Sequence, residues 1–161
     1  MRPPLILDYM SIELRVLELG QDDPRKCTAK RLARMGLAYS YDSPTRLPPR
    51  GIVLDPFAER ELTEADLELA QVGGIVGVDC SWNHALETFA RLRLRGLEPR
   101  RLPSLVPVNP VNAGKVGKLT TAEALAGALA TIGEEEHAAQ LMSAFKWGPA
   151  FLVLNFGTEV L

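Results

Sequence analysis

Four consecutive residues, Asp79, Cys80, Ser81 and Trp82, stand where an apolar run breaks off. The run is residues 74–82, GIVGVDCSW, and its Ile75, Val76 and Val78 are β-branched and uncharged. A carboxylate at the end of a buried strand has its pKa moved by desolvation or by a partner. Asp79 there could accept a proton, orient a substrate N–H, or cap the helix that follows. Trp82 offers a face for stacking on a flat ligand or for cation–π attraction to a sulfonium, and equally a ring for the core. Thr28 opens a helix after a strand and a turn. Backbone N–H groups there suit a carboxylate, and a plain helix cap is the alternative. Glu123 follows Thr120 at capping-box spacing and reads as the box's acid. His84 and His137 lie far apart, with no cysteine or carboxylate at ligand spacing, so neither is expected to hold a metal. The sequence has no GxGxxG, GxxxxGK[ST] or GxSxG, so the common nucleotide-binding and serine-nucleophile motifs are absent.

The elements that must position these residues follow from periodicity and punctuation. Apolar stretches at residues 5–9 and 13–19 come first, the second read as a strand. A turn by composition fills 20–24. A helix runs from about 24 or 27 to 35, with Ala29, Leu32 and Ala33 as its stripe and Gly36 as its stop. Residues 39–50, with Ser43-Pro44 and Pro48-Pro49, read as a loop. Residues 51–54 are a short strand. Thr63 and Asp66 open a helix to about Gln71, which Gly73 and Gly74 end. Residues 74–78 form the central strand, buried on both faces. A helix follows over 83–94. Residues 102–108 are a short strand or an extended segment, broken by Pro103 and Pro107. Beyond them come helices only: one from Thr120, one over 134–145 and one over 151–161. Strand–helix alternation up to residue 101, then helices, predicts an α/β fold: a parallel sheet with flanking helices and an all-helical C-terminal half, divided as 1–101 and 102–161. In such a sheet ligands bind beyond the carboxyl ends of the strands, where residues 79–82 fall.

Bulk properties narrow the class. At 161 residues the chain is long enough for a real core, and 47% apolar with 24% charged residues is ordinary for a soluble globular protein. No stretch approaches the roughly 20 apolar residues of a membrane span. Cys27 and Cys80 make neither a disulfide framework nor a zinc set, which points to a reducing, cytoplasmic location. The net charge of −2 announces no nucleic-acid partner. Basic residues nonetheless cluster at Arg25, Lys26, Lys30, Arg31 and Arg34, and again at Arg91, Arg93, Arg95, Arg100 and Arg101. They are either an anion-binding face or solvated helix faces.

Six segments carry a resemblance. They are DPRKCT at 23–28, GIVL at 51–54, VDCSW at 78–82, LPxLxPVNPVN at 102–112, KLTxxEAL at 118–125 and FKWG at 145–148. In this order they resemble the archaeal and eukaryotic small-subunit rRNA aminocarboxypropyltransferases. The resemblance implies a SPOUT-like sheet with a deep trefoil knot, residues 102–161 being threaded through a loop of the first part. It implies S-adenosylmethionine as cofactor, and transfer of its 3-amino-3-carboxypropyl group to N3 of a uridine, in eukaryotes an N1-methylpseudouridine. Matching positions assign Thr28 to the cofactor's amino-acid end. Leu54, Val78 and Leu102 fall to the adenosine wall, Gly117 and Thr121 to the adenine side, Trp82 to the methionine portion and Asp79 to the reacting end. Family members often carry an aromatic residue where this chain has Ala113 or Gly117. A backbone contact survives that change; stacking does not.

Small-subunit rRNA is the implied partner, met by Arg25, Lys26, Lys30, Arg91, Arg93, Arg95, Lys115 and Lys118, since phosphate contacts need only local positive charge. A monomer and no membrane association are expected. The competing expectations are a methyltransferase of the same fold and a non-catalytic rRNA-binding assembly factor.

Overall fold

The computed structural model describes residues 12–19, 27–80, 82–116 and 118–157, without the Trp82 side chain. The stretch 5–9, the turn at 20–24, and Arg25, Lys26 and Gly117 lie outside the described residues. Five strands form one sheet: β1 (Leu14–Glu18), β2 (Tyr39–Tyr41), β3 (Ile52–Leu54), β4 (Ile75–Asp79) and β5 (Glu98–Arg100). Their order is β2-β1-β4-β3-β5, and every pairing is parallel. All carboxyl ends therefore share one edge. The register sets Glu18 of β1 beside Asp79 of β4, and Leu54 ends β3 at the same edge.

Helices cover both faces. The chain supplies α1 (Thr28–Arg34), α2 (Leu67–Gly73), α3 (Ala85–Leu94), α4 (Thr121–Thr131), α5 (Glu135–Met142) and α6 (Gly148–Phe156). On one face, α3 sets Phe89 and Leu92 against Leu17, Val53 and Val76. On the other, α1 and α4 lie on the sheet, and α5 and α6 pack against α4. This larger core draws on both ends of the chain, from Leu14 and Leu32 to Leu125, Leu141 and Phe151. An isolated bridge joins Glu61 and Arg101. Among the described residues, no helix is long and apolar enough to cross a membrane.

α4 is apolar nearly all round, as a helix buried at the centre of helices must be. Ala122, Leu125, Ala126, Ala128 and Leu129 are all fully buried. Gly77 admits it to the sheet: a Cβ there would lie 3.0 Å from Thr121 Cγ2 and 3.3 Å from Leu125 Cγ.

Three expectations need correction. Residues 39–50 are not all loop, because β2 pairs with β1 and a 3-10 turn follows at Pro44–Arg46. Residues 102–108 take the extended form, the other of the two expected there, and a strand that was not expected forms before them, at Glu98–Arg100. Pro99 is tolerated there because β5 is an edge strand bonded only to β3. Among the described residues, 102–120 hold turns and extended chain, which Pro103, Pro107 and Pro110 keep from coiling, so the part beyond β5 is extended chain first and helices after.

Candidate active site

A cavity of about 740 Å³ opens at the carboxyl edge of β3 and β4, within the range of small-molecule sites. Leu54 and Val78 line it where their strands end, and Leu102 closes it from the extended segment. Thr121 enters from the start of α4, and Thr28 from the start of α1. Five of the seven expected cofactor residues thus meet around one space, with Asp79 at its edge. Of the other two, Gly117 and the Trp82 side chain are outside the description. Trp82 opens a 3-10 turn, Trp82–His84, directly after the strand end.

Thr28 does more than begin a helix. Its Oγ1 accepts a hydrogen bond from the Ala122 backbone N–H at 3.1 Å, tying α1 to α4 across 94 residues. Cys27, the N-cap of α1, makes no side-chain cap bond. Its thiol donates instead to Asp79 Oδ2 at 3.4 Å. Burial pushes the Cys27 thiol up most, and the Asp79 charge adds to this, so it stays a protonated donor. Cys80 is raised for the same two reasons.

The backbone of 102–105, half-buried at Leu102 and Pro103, exposed at Ser104 and buried at Leu105, forms part of the wall. Among the described residues, none of its N–H or C=O groups has a hydrogen-bond partner in the chain, although Leu105 is only 6% exposed. Buried backbone polar groups are nearly always paired. Donors and acceptors left open against an apolar cavity suit a ligand with polar edges and a flat body.

Composition did not reveal three residues that shape this cavity. Asp55 follows Leu54 and is buried; its Oδ1 accepts from the Phe57 N–H at 2.8 Å and its Oδ2 pairs with Arg93 at 2.7 Å. Asn109 is buried and accepts from the N–H groups of Val111 and Asn112 through Oδ1, shaping the 109–112 turn on the cavity wall. Glu123 is the capping-box acid expected, and it also bonds Asn109. Asp-Pro and Asn-Pro pairs in the sequence mark the two turns, but nothing local marks the long-range partners.

The expected RNA residues divide. Lys118 lines the cavity, and Lys115 and Arg91 are exposed. Lys30 pairs with Glu18 at 2.6 Å, a bond that raises its pKa. Arg93 is the counterion of Asp55, and Arg95 donates to the Leu47 carbonyl at 2.7 Å. Arg100 is buried against Asp66 and Arg101 holds the Ala58 carbonyl. The second basic cluster is therefore mostly bound within the fold rather than one free face, because its side chains tie β5 and α3 to the loops beside them.

Comparison with known proteins agrees with this layout. Residues 52–159 match a family model described as "Ribosome biogenesis protein, C-terminal". Residues 13–40 match one described as "Possible Fer4-like domain in RNase L inhibitor, RLI". Cys27 is the lone cysteine of that stretch, so the four thiolates of an iron–sulfur cluster are not there. The 16S rRNA aminocarboxypropyltransferase of Methanosarcina mazei is 45% identical over 144 residues, covering 89% of this chain and 82% of that one. That of Methanopyrus kandleri is 47% identical over 140 residues, covering 87% and 82%. Among solved structures, the SAM-dependent rRNA:acp-transferase Tsr3 from Vulcanisaeta distributa superposes with a TM-score of 0.82 at 38% identity, covering 89% of this chain and 78% of that one.

Proposed function

The chain belongs to the 16S rRNA aminocarboxypropyltransferase family, and from that premise we propose that it moves the 3-amino-3-carboxypropyl group of S-adenosylmethionine to N3 of a uridine-type base in small-subunit rRNA, releasing methylthioadenosine. The single observation that carries the assignment to a site is the cavity: apolar at Leu54, Val78 and Leu102, unpaired along the 102–105 backbone, and closed by Asp79. Those features fit an adenosine held between apolar side chains with its polar edges on main-chain groups.

The donor supplies a sulfonium with three carbons open to attack. The chain's part is to decide which of them meets the base, and it does so by position. Leu54, Val78 and Leu102 hold the nucleoside body. Thr28, at the start of α1, receives the amino-acid end, Thr121, at the start of α4, meets the adenine side with Gly117, and Trp82 packs the methionine portion. The aminocarboxypropyl chain then faces the RNA. As N3 bonds to its γ-carbon, the carbon–sulfur bond breaks, its electron pair goes to sulfur, and the N3 proton passes to solvent water. Asp79 orients that N3–H, with the Cys27 thiol fixing one carboxylate oxygen.

Lys118 at the cavity, with Lys115 and Arg91, supplies the free phosphate contacts, and Arg25 and Lys26 join them. The reading includes a cytoplasmic monomer, the two parts 1–101 and 102–161, and a SPOUT-like trefoil knot between them. What supports the knot is that described residues of 102–120 line the cavity at the carboxyl edge before α4 returns to pack against both β4 and α1. Nucleoside mass analysis of small-subunit rRNA after incubation with labelled S-adenosylmethionine tests the activity. An aminocarboxypropyl adduct with methylthioadenosine is expected; a methyl adduct with S-adenosylhomocysteine overturns it. Calorimetry with S-adenosylmethionine tests the non-catalytic alternative, which predicts no binding.

A further inference from the structure

Glu123 is fully buried, and no lysine, arginine or histidine pairs with it among the described residues. Its charge is met by hydrogen bonds alone. Oε1 accepts from Asn109 Nδ2 at 2.7 Å, the Thr120 N–H at 2.9 Å and the Thr120 hydroxyl at 3.1 Å. Oε2 accepts from the Val108 N–H at 2.7 Å and the Asn109 N–H at 3.2 Å. A capping box requires only the bond to Thr120. The remaining bonds reach back 14 and 15 residues, to the turn that forms the facing wall. The Asn109 amide has no freedom to flip, because its Oδ1 is already taken by the N–H groups of Val111 and Asn112.

Both banks of the cavity meet on this one carboxylate. Asn109, Val111 and Asn112 belong to one segment of its lining, and Thr120, Thr121 and Ala124 to another. We propose that Glu123 is a positioning residue for the donor: through Asn109 and Thr120 it fixes the 108–112 turn and the start of α4 at the separation that S-adenosylmethionine needs. The proposal rests on the reading that this cavity binds that molecule. Four of the five partners are N–H groups that can only donate, and they are spread over both oxygens. Glutamine would therefore turn an NH₂ toward a donor whichever way it is placed. An unsatisfied buried donor costs its desolvation.

The test is calorimetry with S-adenosylmethionine on the full chain, together with KM and kcat for transfer. Glu123→Gln is expected to raise Kd about tenfold or more, with KM rising more than kcat falls, while circular dichroism stays native. In the double variant Glu123→Gln with Asn109→Asp, the new amide can donate to the new carboxylate while it still faces the Thr120 N–H, and part of the affinity is expected to return. A merely structural role would lower the melting temperature without that recovery. If Glu123→Gln does not fold, Asn109→Ala carries the test, since it removes one of the five bonds to Glu123, together with the two that Asn109 Oδ1 accepts from Val111 and Asn112, and leaves the capping box intact; a weaker but clear rise in Kd is expected. A wild-type chain that fails to bind overturns the functional reading itself. Wild-type binding with unchanged Kd in Glu123→Gln, or in Asn109→Ala where that variant carries the test, or a double variant no better than the single, overturns only the role of Glu123.

Discussion

The two edges of the sheet are built from the same strands and solve opposite problems. At the amino edge, Arg15 is 1% exposed, yet every direction around it is filled. Its guanidinium meets Glu13 at 2.6 Å, the Gly73 carbonyl at 2.8 Å and the Arg50 carbonyl at 3.2 Å. Backbones approach there too closely for side chains: Gly74 sits at φ +84°, and a Cβ would lie 2.7 Å from the Glu13 carbonyl. At the carboxyl edge the main chain of 102–105 has no hydrogen-bond partner among the described residues and lies beside a cavity. One edge spends its polar groups on the fold, and the other keeps them for a ligand. A charged residue therefore says little until its edge is known: Arg15 is a structural cation, and Asp79 is a candidate for chemistry.

Substitutions can break that contrast. The largest expected effect on transfer is at the carboxyl edge: Asp79→Ala should lower the rate on the order of 100-fold or more, with S-adenosylmethionine affinity by calorimetry changed far less. Equal losses would make Asp79 a donor-holding residue. The largest expected effect on stability is at the other edge. Arg15→Met should cost about 3 kcal/mol in urea unfolding, because it leaves Glu13 and two carbonyls unmatched, while the folded fraction keeps its Kd. Gly74→Ala should also destabilise, by about 1–3 kcal/mol, through its positive φ and the close Glu13 carbonyl. Gly77→Ala lies between the two edges: pushing α4 from β4 should cost about 1–2 kcal/mol and weaken donor binding as well, since Thr121 moves with the helix.

The smallest effect is a pH dependence. The Cys27 thiol is raised above its ordinary value of 9.0 by burial and then by Asp79, so the fold prefers it protonated. Its contribution is fully present below pH 9.0 and fades as the pH climbs from there through the higher folded value. Cys27→Ser should therefore flatten the alkaline loss of stability measured by urea unfolding.

Much of this was legible in the sequence, for physical reasons that also explain the rest. β3 and β4 announce themselves because buried parallel strands are continuous apolar runs, and β1 does so through Leu14, Val16 and Leu17 among its charges. Both capping boxes formed as their spacing required, at Thr63–Asp66 and Thr120–Glu123. β2 and β5 did not announce themselves: each is three residues at an edge, Tyr-Ser-Tyr and Glu-Pro-Arg, with too little pattern to show a period. In the site, Asp79 was legible as an acid ending an apolar run, and resemblance placed Thr28, Leu54, Val78, Leu102 and Thr121. The partners of Arg93, Arg95 and Glu123 were not legible. A hydrogen bond from residue 123 to residue 109, or from Arg93 to Asp55, leaves no mark in local spacing, and a count of charges cannot separate paired from free ones.

The bond from Ala122 to Thr28 has a consequence in time. The cavity's walls are drawn from Cys27 to Ala124, and the helix that joins them to Thr28 is synthesised 94 residues after it. A nascent chain that has not yet reached residue 123 has its strands but no carboxylate to gather the 108–112 turn and no α4 to receive Thr28. Loop closure over such distances is also slow. The pocket is thus a late product of folding, and occupancy by a ligand certifies that synthesis has passed Ala124 and that α4 has docked.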